Sequence, residues 1–103
     1  MSPRPKKPRS CSCPFRNGAE LVFKPAGTPL KELPRIDLER DELEAVHLCD
    51  GEGLTQHQAG ERMGVSRGTV QRLVVRGRKK IIDAVVGAQA LVVHAPQTDE
   101  DRY

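Results

Sequence analysis

Along the middle of the chain apolar residues recur at helical spacing, and near each end they alternate with polar ones. Between Leu38 and Cys49, Leu38, Leu43, Ala45, Val46, Leu48 and Cys49 share a wide side of a helix, set among Glu39, Arg40, Asp41, Glu42 and Glu44. Asp37 or Asp41 is placed to cap it, and Asp50-Gly51-Glu52-Gly53 should end it, because glycine permits the left-handed geometry of a helix stop. Thr55-Gln56-His57-Gln58 has the capping-box pattern, a hydroxyl at the cap and an amide three residues on, and opens a short helix through Met63. Gly64 ends that helix, and Ser66 caps another running from Arg67 to about Val86, roughly 30 Å long. Wound at helical pitch, Val70, Leu73, Val74, Gly77, Ile81 and Ala84 fall on one side of it, with Gly68, Arg72, Val75, Arg76 and Lys79 on or near the other. Glu20 to Lys24 alternates, with Leu21 and Phe23 on one side, and reads as a short strand. Lys24-Pro25-Ala26-Gly27-Thr28-Pro29 breaks regular structure. Ala90 to Ala95 alternates Leu91 and Val93 against Val92 and His94, a second strand suited to pair with the first.

The expected architecture is therefore mainly α, a helix-turn-helix domain of three to four helices with a small two-stranded antiparallel sheet joining its N- and C-terminal parts. Residues 1–18, where four prolines interleave with Arg4, Lys6, Lys7 and Arg9, read as a basic extended arm; 19–95 form the domain; 96–103 form a disordered tail. Nine Gly and eight Pro among 103 residues leave about 70 for packed structure, a marginal core that an oligomer would help. No apolar run reaches the ~18 residues that cross a bilayer, and the N-terminus has no apolar signal segment, so the expectation is a soluble cytoplasmic protein.

The net charge of +3 conceals blocks of alternating sign. Residues 1–18 sum to +5, 19–53 to −5, 54–82 to +6 and 83–103 to −3. Such blocks put an electropositive patch on a nearly balanced molecule, and nucleic acid is the polyanion that fits it. A solvated basic helix face beside a basic tail is the plainer alternative, and spacing decides between them.

The spacing from Thr55 to Lys80 favours DNA. A capped short helix, a tight glycine turn and a second capped helix with a basic outer side form a helix-turn-helix signature. Gly60, with Ala59 beside it, supplies the small residue where the two helices cross, while Met63, Val65, Val70 and Leu73 form an apolar wedge over Leu43 and Val46. Ser66, Arg67, Gly68, Gln71 and Arg72 then point outward from the start of the second helix as base-reading positions, since Arg can bond guanine twice and Gln adenine twice. Thr55, Arg76, Arg78, Lys79 and Lys80 are the expected phosphate contacts. In the arm, Arg4, Lys6, Lys7 and Arg9 are candidates for the adjacent minor groove, the alternative being a solubilising tail.

The segment from Gly51 to Arg67 resembles the promoter-reading C-terminal helix-turn-helix region of bacterial sigma factors. The wider pattern is Arg4-Pro5-Lys6-Lys7, Phe23-Lys24-Pro25-Ala26-Gly27 with Pro29-Leu30, Asp41-Glu42-Leu43-Glu44-Ala45, Met63-Gly64-Val65-Ser66-Arg67 and Ala90-Leu91. It resembles a small prokaryotic family of proteins predicted to bind DNA, over about residues 2–93. The resemblance implies a single helix-turn-helix domain and transcriptional regulation. Sigma-factor regions of this type also touch RNA polymerase, so the competing expectation is an adaptor that docks on polymerase without reading DNA. Gly60 departs from the alanine usual at the crossing, and an interior glycine costs about 0.5–1 kcal/mol relative to alanine. On that ground Gly77→Ala is expected to raise thermal stability.

Other chemistries find little support. Cys11 and Cys13 form a weak soft-metal pair, with His47, Cys49 or His94 as further ligands, but there is no second Cys pair, and no cofactor is expected. No phosphate loop, His pair or nucleophile, base and orienter trio is present, and the carboxylates from Glu39 to Glu44 read as a solvated helix face, so an enzyme is not expected. Ile82 and Val86, apolar on the side of Val75, need a cover: either the strand pair folds over them or a second subunit does. A two-fold homodimer would suit a palindromic operator.

Overall fold

The structure, a computed structural model, describes residues 21–94. The arm with Arg4, Lys6, Lys7, Arg9, Cys11 and Cys13, and the tail from residue 96, lie outside the described residues.

Three strands and a run of helices alternate along the chain: β1 (Leu21–Phe23), a 3-10 turn (Leu30–Glu32), β2 (Arg35–Leu38), α1 (Arg40–Val46) continued by a π-helical turn (His47–Gly51), α2 (Gln56–Met63), α3 (Arg67–Val86) and β3 (Ala90–Val93). The fold is mainly helical with a small sheet, as the sequence suggests, but the sheet has three strands in the order β1-β3-β2 and is mixed. β1 pairs antiparallel with β3 through Leu21 with Val93 and Phe23 with Leu91, as anticipated. The unanticipated strand is β2, parallel to β3 with Ile36 opposite Leu91 and Leu38 opposite Val93. Parallel neighbours need a long crossover. Here the crossover is the whole helical part, so the sheet ties the start of α1 to the end of α3.

Leu38 accordingly ends a strand, and α1 starts two residues later with Glu39 rather than Asp37 or Asp41 as its cap. β3 stops at Val93, and its alternation does not translate into one wet face, because all four residues are buried between two edge strands.

Two apolar clusters hold the molecule. Ala45, Leu48, Ala59, Val70, Leu73 and Val74 join α1, its π turn, α2 and α3, with Cys49, Leu54 and Met63 packed alongside. Leu38, Ala84, Leu91 and Val93 fasten the sheet to the C-terminal half of α3, with Leu21, Ile36, Leu43 and Ile81 around them. Val65 is exposed and so stands outside the wedge anticipated between the paired helices, and Leu43 packs on the second cluster instead of lying beneath that wedge. Met63, Val70 and Leu73 do form it.

The carboxylates of α1 are not all solvated. Glu42 and Glu44 are buried. Glu42 Oε1 accepts from the Glu39 amide at 3.0 Å and from Lys80 Nζ at 2.8 Å, and Lys80 Nζ also donates to the Asp37 carbonyl at 2.8 Å. One lysine therefore joins β2, α1 and α3, and the carboxylate it meets has its oxygen fully used.

Candidate nucleic-acid interface

The site is built by two caps and a turn. Thr55 Oγ1 accepts from the Gln58 amide at 3.0 Å while Gln58 Oε1 accepts from the Thr55 amide at 2.9 Å, so two of the free donors at the start of α2 are satisfied reciprocally. Gly64 closes α2 at φ 75°, a left-handed conformation that costs a side chain dearly and glycine nothing. Two residues later Ser66 Oγ accepts from the Thr69 amide at 3.2 Å and starts α3. Both caps and the turn fall where the sequence places them.

α3 lies on α2 at Gly60. A Cβ there would stand 2.7 Å from the Val65 carbonyl oxygen, closer than such atoms approach, so glycine fits where the turn backbone comes close. Further along, a Cβ on Gly77 would stand 2.7 Å from Val46 Cγ2 and 3.0 Å from the Glu42 carbonyl oxygen. Gly77 is thus a contact point between α1 and α3 and not a weak spot in an open helix, which overturns the expectation that alanine would stabilise it. Gly68 differs, with only the Arg72 guanidinium, at 3.9 Å, near the place of a Cβ.

The five base-reading candidates, Ser66, Arg67, Gly68, Gln71 and Arg72, are all exposed on the first two turns of α3, and nothing in the described residues covers them. Ser66 is committed as the cap. Arg67, Gln71 and Arg76 have no ion pair or side-chain hydrogen bond among the described residues. Arg72 is held: its Nη2 donates to Thr69 Oγ1 at 3.2 Å, and Thr69 Oγ1 in turn lies 3.0 Å from Ser66 Oγ. Thr69 was invisible as a functional residue from composition or periodicity, although its place three residues after one cap and three before Arg72 is a legible clue.

The phosphate candidates divide. Thr55 is exposed at the start of α2 with its hydroxyl oxygen accepting a cap bond, which leaves its proton free to donate. Arg76 is open. The other three are engaged within the molecule. Arg78 forms a two-pronged bond to Asp50 on the π turn, Nε to Oδ2 at 2.8 Å and Nη2 to Oδ1 at 2.7 Å. That guanidinium holds the Asp50 carboxyl below its ordinary range, and Asp50 raises Arg78 in return. Lys79 pairs with Asp83 one turn on at 2.7 Å, and Lys80 is the structural link described above. Of the candidate cations, the open ones thus lie on the N-terminal half of α3.

The π turn that presents Asp50 is closed by the Glu52 amide bonding the His47 carbonyl at 2.9 Å. Its neighbour Cys49 is half-buried; burial and then the Asp50 charge push its thiol up, only partly opposed by Arg78. It is a core thiol. His47 bonds Glu52 at 3.1 Å and His94 bonds Asp37 at 3.0 Å, and no group of three or more metal-ligating side chains occurs among the described residues. None of the described helices is long and apolar enough to cross a membrane.

The chain is similar to a UPF0251 protein of Vibrio vulnificus, 41% identical over 100 residues covering 97% of each chain. A UPF0251 protein of Vibrio cholerae is 42% identical over 92 residues, 89% of this chain and 91% of that one. A UPF0251 protein of Moorella thermoacetica is 48% identical over 71 residues, 69% of this chain but 48% of a longer relative. No solved structure matches this chain. Residues 1–100 match the family described as "Protein of unknown function DUF134", and the chain belongs to that family.

Proposed function

We propose that the protein binds double-stranded DNA sequence-specifically and acts as a transcriptional regulator, with the N-terminal half of α3 in the major groove. The observation that carries this reading is that Arg67, Gln71, Arg72 and Arg76 are all exposed on the N-terminal half of a capped helix that α2 braces from behind. A recognition helix works through its N-terminal residues while its partner crosses the backbone. Arg67 and Arg72 have the fork that matches guanine, and Gln71 the donor and acceptor that match adenine. Arg76 and the Thr55 hydroxyl then meet phosphates on either side, and Arg78 joins them only by giving up Asp50. The basic arm with Arg4, Lys6, Lys7 and Arg9 would follow the adjacent minor groove. None of this needs a cofactor or a catalytic step, and it would keep the protein with the nucleoid.

Selection of bound duplexes from a random pool tests the proposal. A defined motif should emerge, and Gln71→Ala and Arg72→Ala should each alter the preferred base at one position. Uniform weakening over all sequences would make both side chains phosphate contacts. If no duplex is retained while RNA polymerase copurifies after nuclease treatment, the protein is an adaptor and the DNA reading fails.

A further inference from the structure

At the far end of α3 from its reading turn, an apolar ridge and an apolar groove lie side by side. Ile82, Val85 and Val86 are 57%, 73% and 79% exposed. The sheet that was one candidate to cover Ile82 and Val86 does not: it packs on Ala84 and Ile81 instead. Beside the ridge is an open groove of about 370 Å³ whose lining is mostly apolar, from Phe23, Pro25, Ala84, Val85, Ala88 and Leu91, together with Lys24 and Gln89. Lys24 Nζ is turned to the Thr28 carbonyl at 2.7 Å, so its charge is directed to the loop. The groove is therefore an apolar receptor for aliphatic side chains.

We infer that this end of the molecule docks a second copy of the chain, the Ile82–Val86 ridge of each protomer entering the Phe23–Leu91 groove of the other. A two-fold contact requires one surface to carry both halves of a complementary pair, and here knob and hole adjoin on the same patch. The patch is mostly apolar, with Lys24 turned to its own loop, so the surface it fits is an apolar one such as its own ridge. With only a handful of apolar side chains exposed, the patch falls short of the about 800 Å² per partner of a standard interface, so the dimer is concentration-dependent. Val85 stands 16 residues beyond Thr69, about 24 Å along the helix. Two reading turns joined at this end can therefore be up to about 48 Å apart, which spans the ~34 Å between half-sites one turn of DNA apart. The contact itself does not rest on DNA binding; only its use on half-sites does.

Sedimentation equilibrium of the full chain without DNA is the test. Self-association to twice the chain mass is expected at tens of micromolar. Val85→Glu and Val85→Lys, opposite in charge and at an exposed position, should each weaken it by at least about tenfold while the circular dichroism melt is retained. Ile82→Glu should do the same from the ridge. A wild-type monomer throughout, or dimers that all three variants leave intact, would overturn the inference, whatever the DNA selection returns. If the chain does select a motif, the wild type should bind an inverted repeat cooperatively, and Val85→Glu should bind one half-site as before without that cooperativity.

Discussion

Gly77 and Gly68 lie on the same helix and have opposite reasons for lacking a side chain. At Gly77 a methyl group would run into Val46 and the backbone of Glu42, so Gly77→Ala should destabilise by about 1–3 kcal/mol as an overpacked contact. At Gly68 the place of a Cβ is open, and Gly68→Ala should stabilise by about 0.5–1 kcal/mol through helix propensity alone. With no Trp and one Tyr, melting is best followed by far-ultraviolet circular dichroism; equal shifts for both variants would refute the packing argument. Thr69 is a third residue whose role is local. Its hydroxyl links the Ser66 cap to Arg72, so it fixes where that guanidinium sits. Thr69→Val, isosteric but without the hydroxyl, should relax the base preference ascribed to Arg72 by about twofold to tenfold, and Thr69→Ser should restore it. Salt dependence of binding should not change, which separates positioning from phosphate contact.

Among the elements, the helices were legible in the sequence because each carries its own start and stop: Thr55 with Gln58, Gly64, Ser66, and a proline-free run to Val86. β2 was not, although Arg35-Ile36-Asp37-Leu38 alternates as a half-buried strand should. Leu38 fits the apolar face of the next helix equally well, and only pairing with β3, more than 50 residues away, decides between the two. The proposed reading surface was legible for a similar reason, being one local stretch, whereas the partners of Arg78 and Lys80 come from distant elements and no local pattern announces them. The bond between the π turn and α3 makes a testable claim at this scale. On the proposed DNA reading Asp50 would compete with phosphate for Arg78, so Asp50→Asn should strengthen DNA binding and steepen its salt dependence by about one counterion. The same pair ties stability to pH in one direction. The Asp50 carboxyl is held below its ordinary range in the folded chain, so its contribution is complete above that range and is lost as pH falls through the lowered value. Both groups are substantially exposed, so solvent screening keeps the effect small.

Across the whole molecule, the like charges of the second basic block do not share one role. Arg67, Arg72 and Arg76 face outward from α3, whereas Lys80 is turned inward and joins β2, α1 and α3 through Asp37 and the buried Glu42. Removing one partner of a fully buried pair costs about 3–5 kcal/mol, and Lys80, itself 31% exposed, should cost nearer 2. Lys80→Met is therefore expected to lower unfolding free energy by about 2 kcal/mol, because Glu42 keeps only its bond from the Glu39 amide. Arg76→Met, an equal loss of formal charge at an open site, should change stability by less than about 0.5 kcal/mol and reduce the salt slope of DNA binding by about 0.9. Urea unfolding and DNA titrations at several salt concentrations, run on both variants, separate the two jobs. Should Lys80→Met remove a counterion and leave stability intact, the inward-facing lysine would belong to the DNA surface after all. The sheet would then be joined to the helices by its apolar cluster alone, without the polar link.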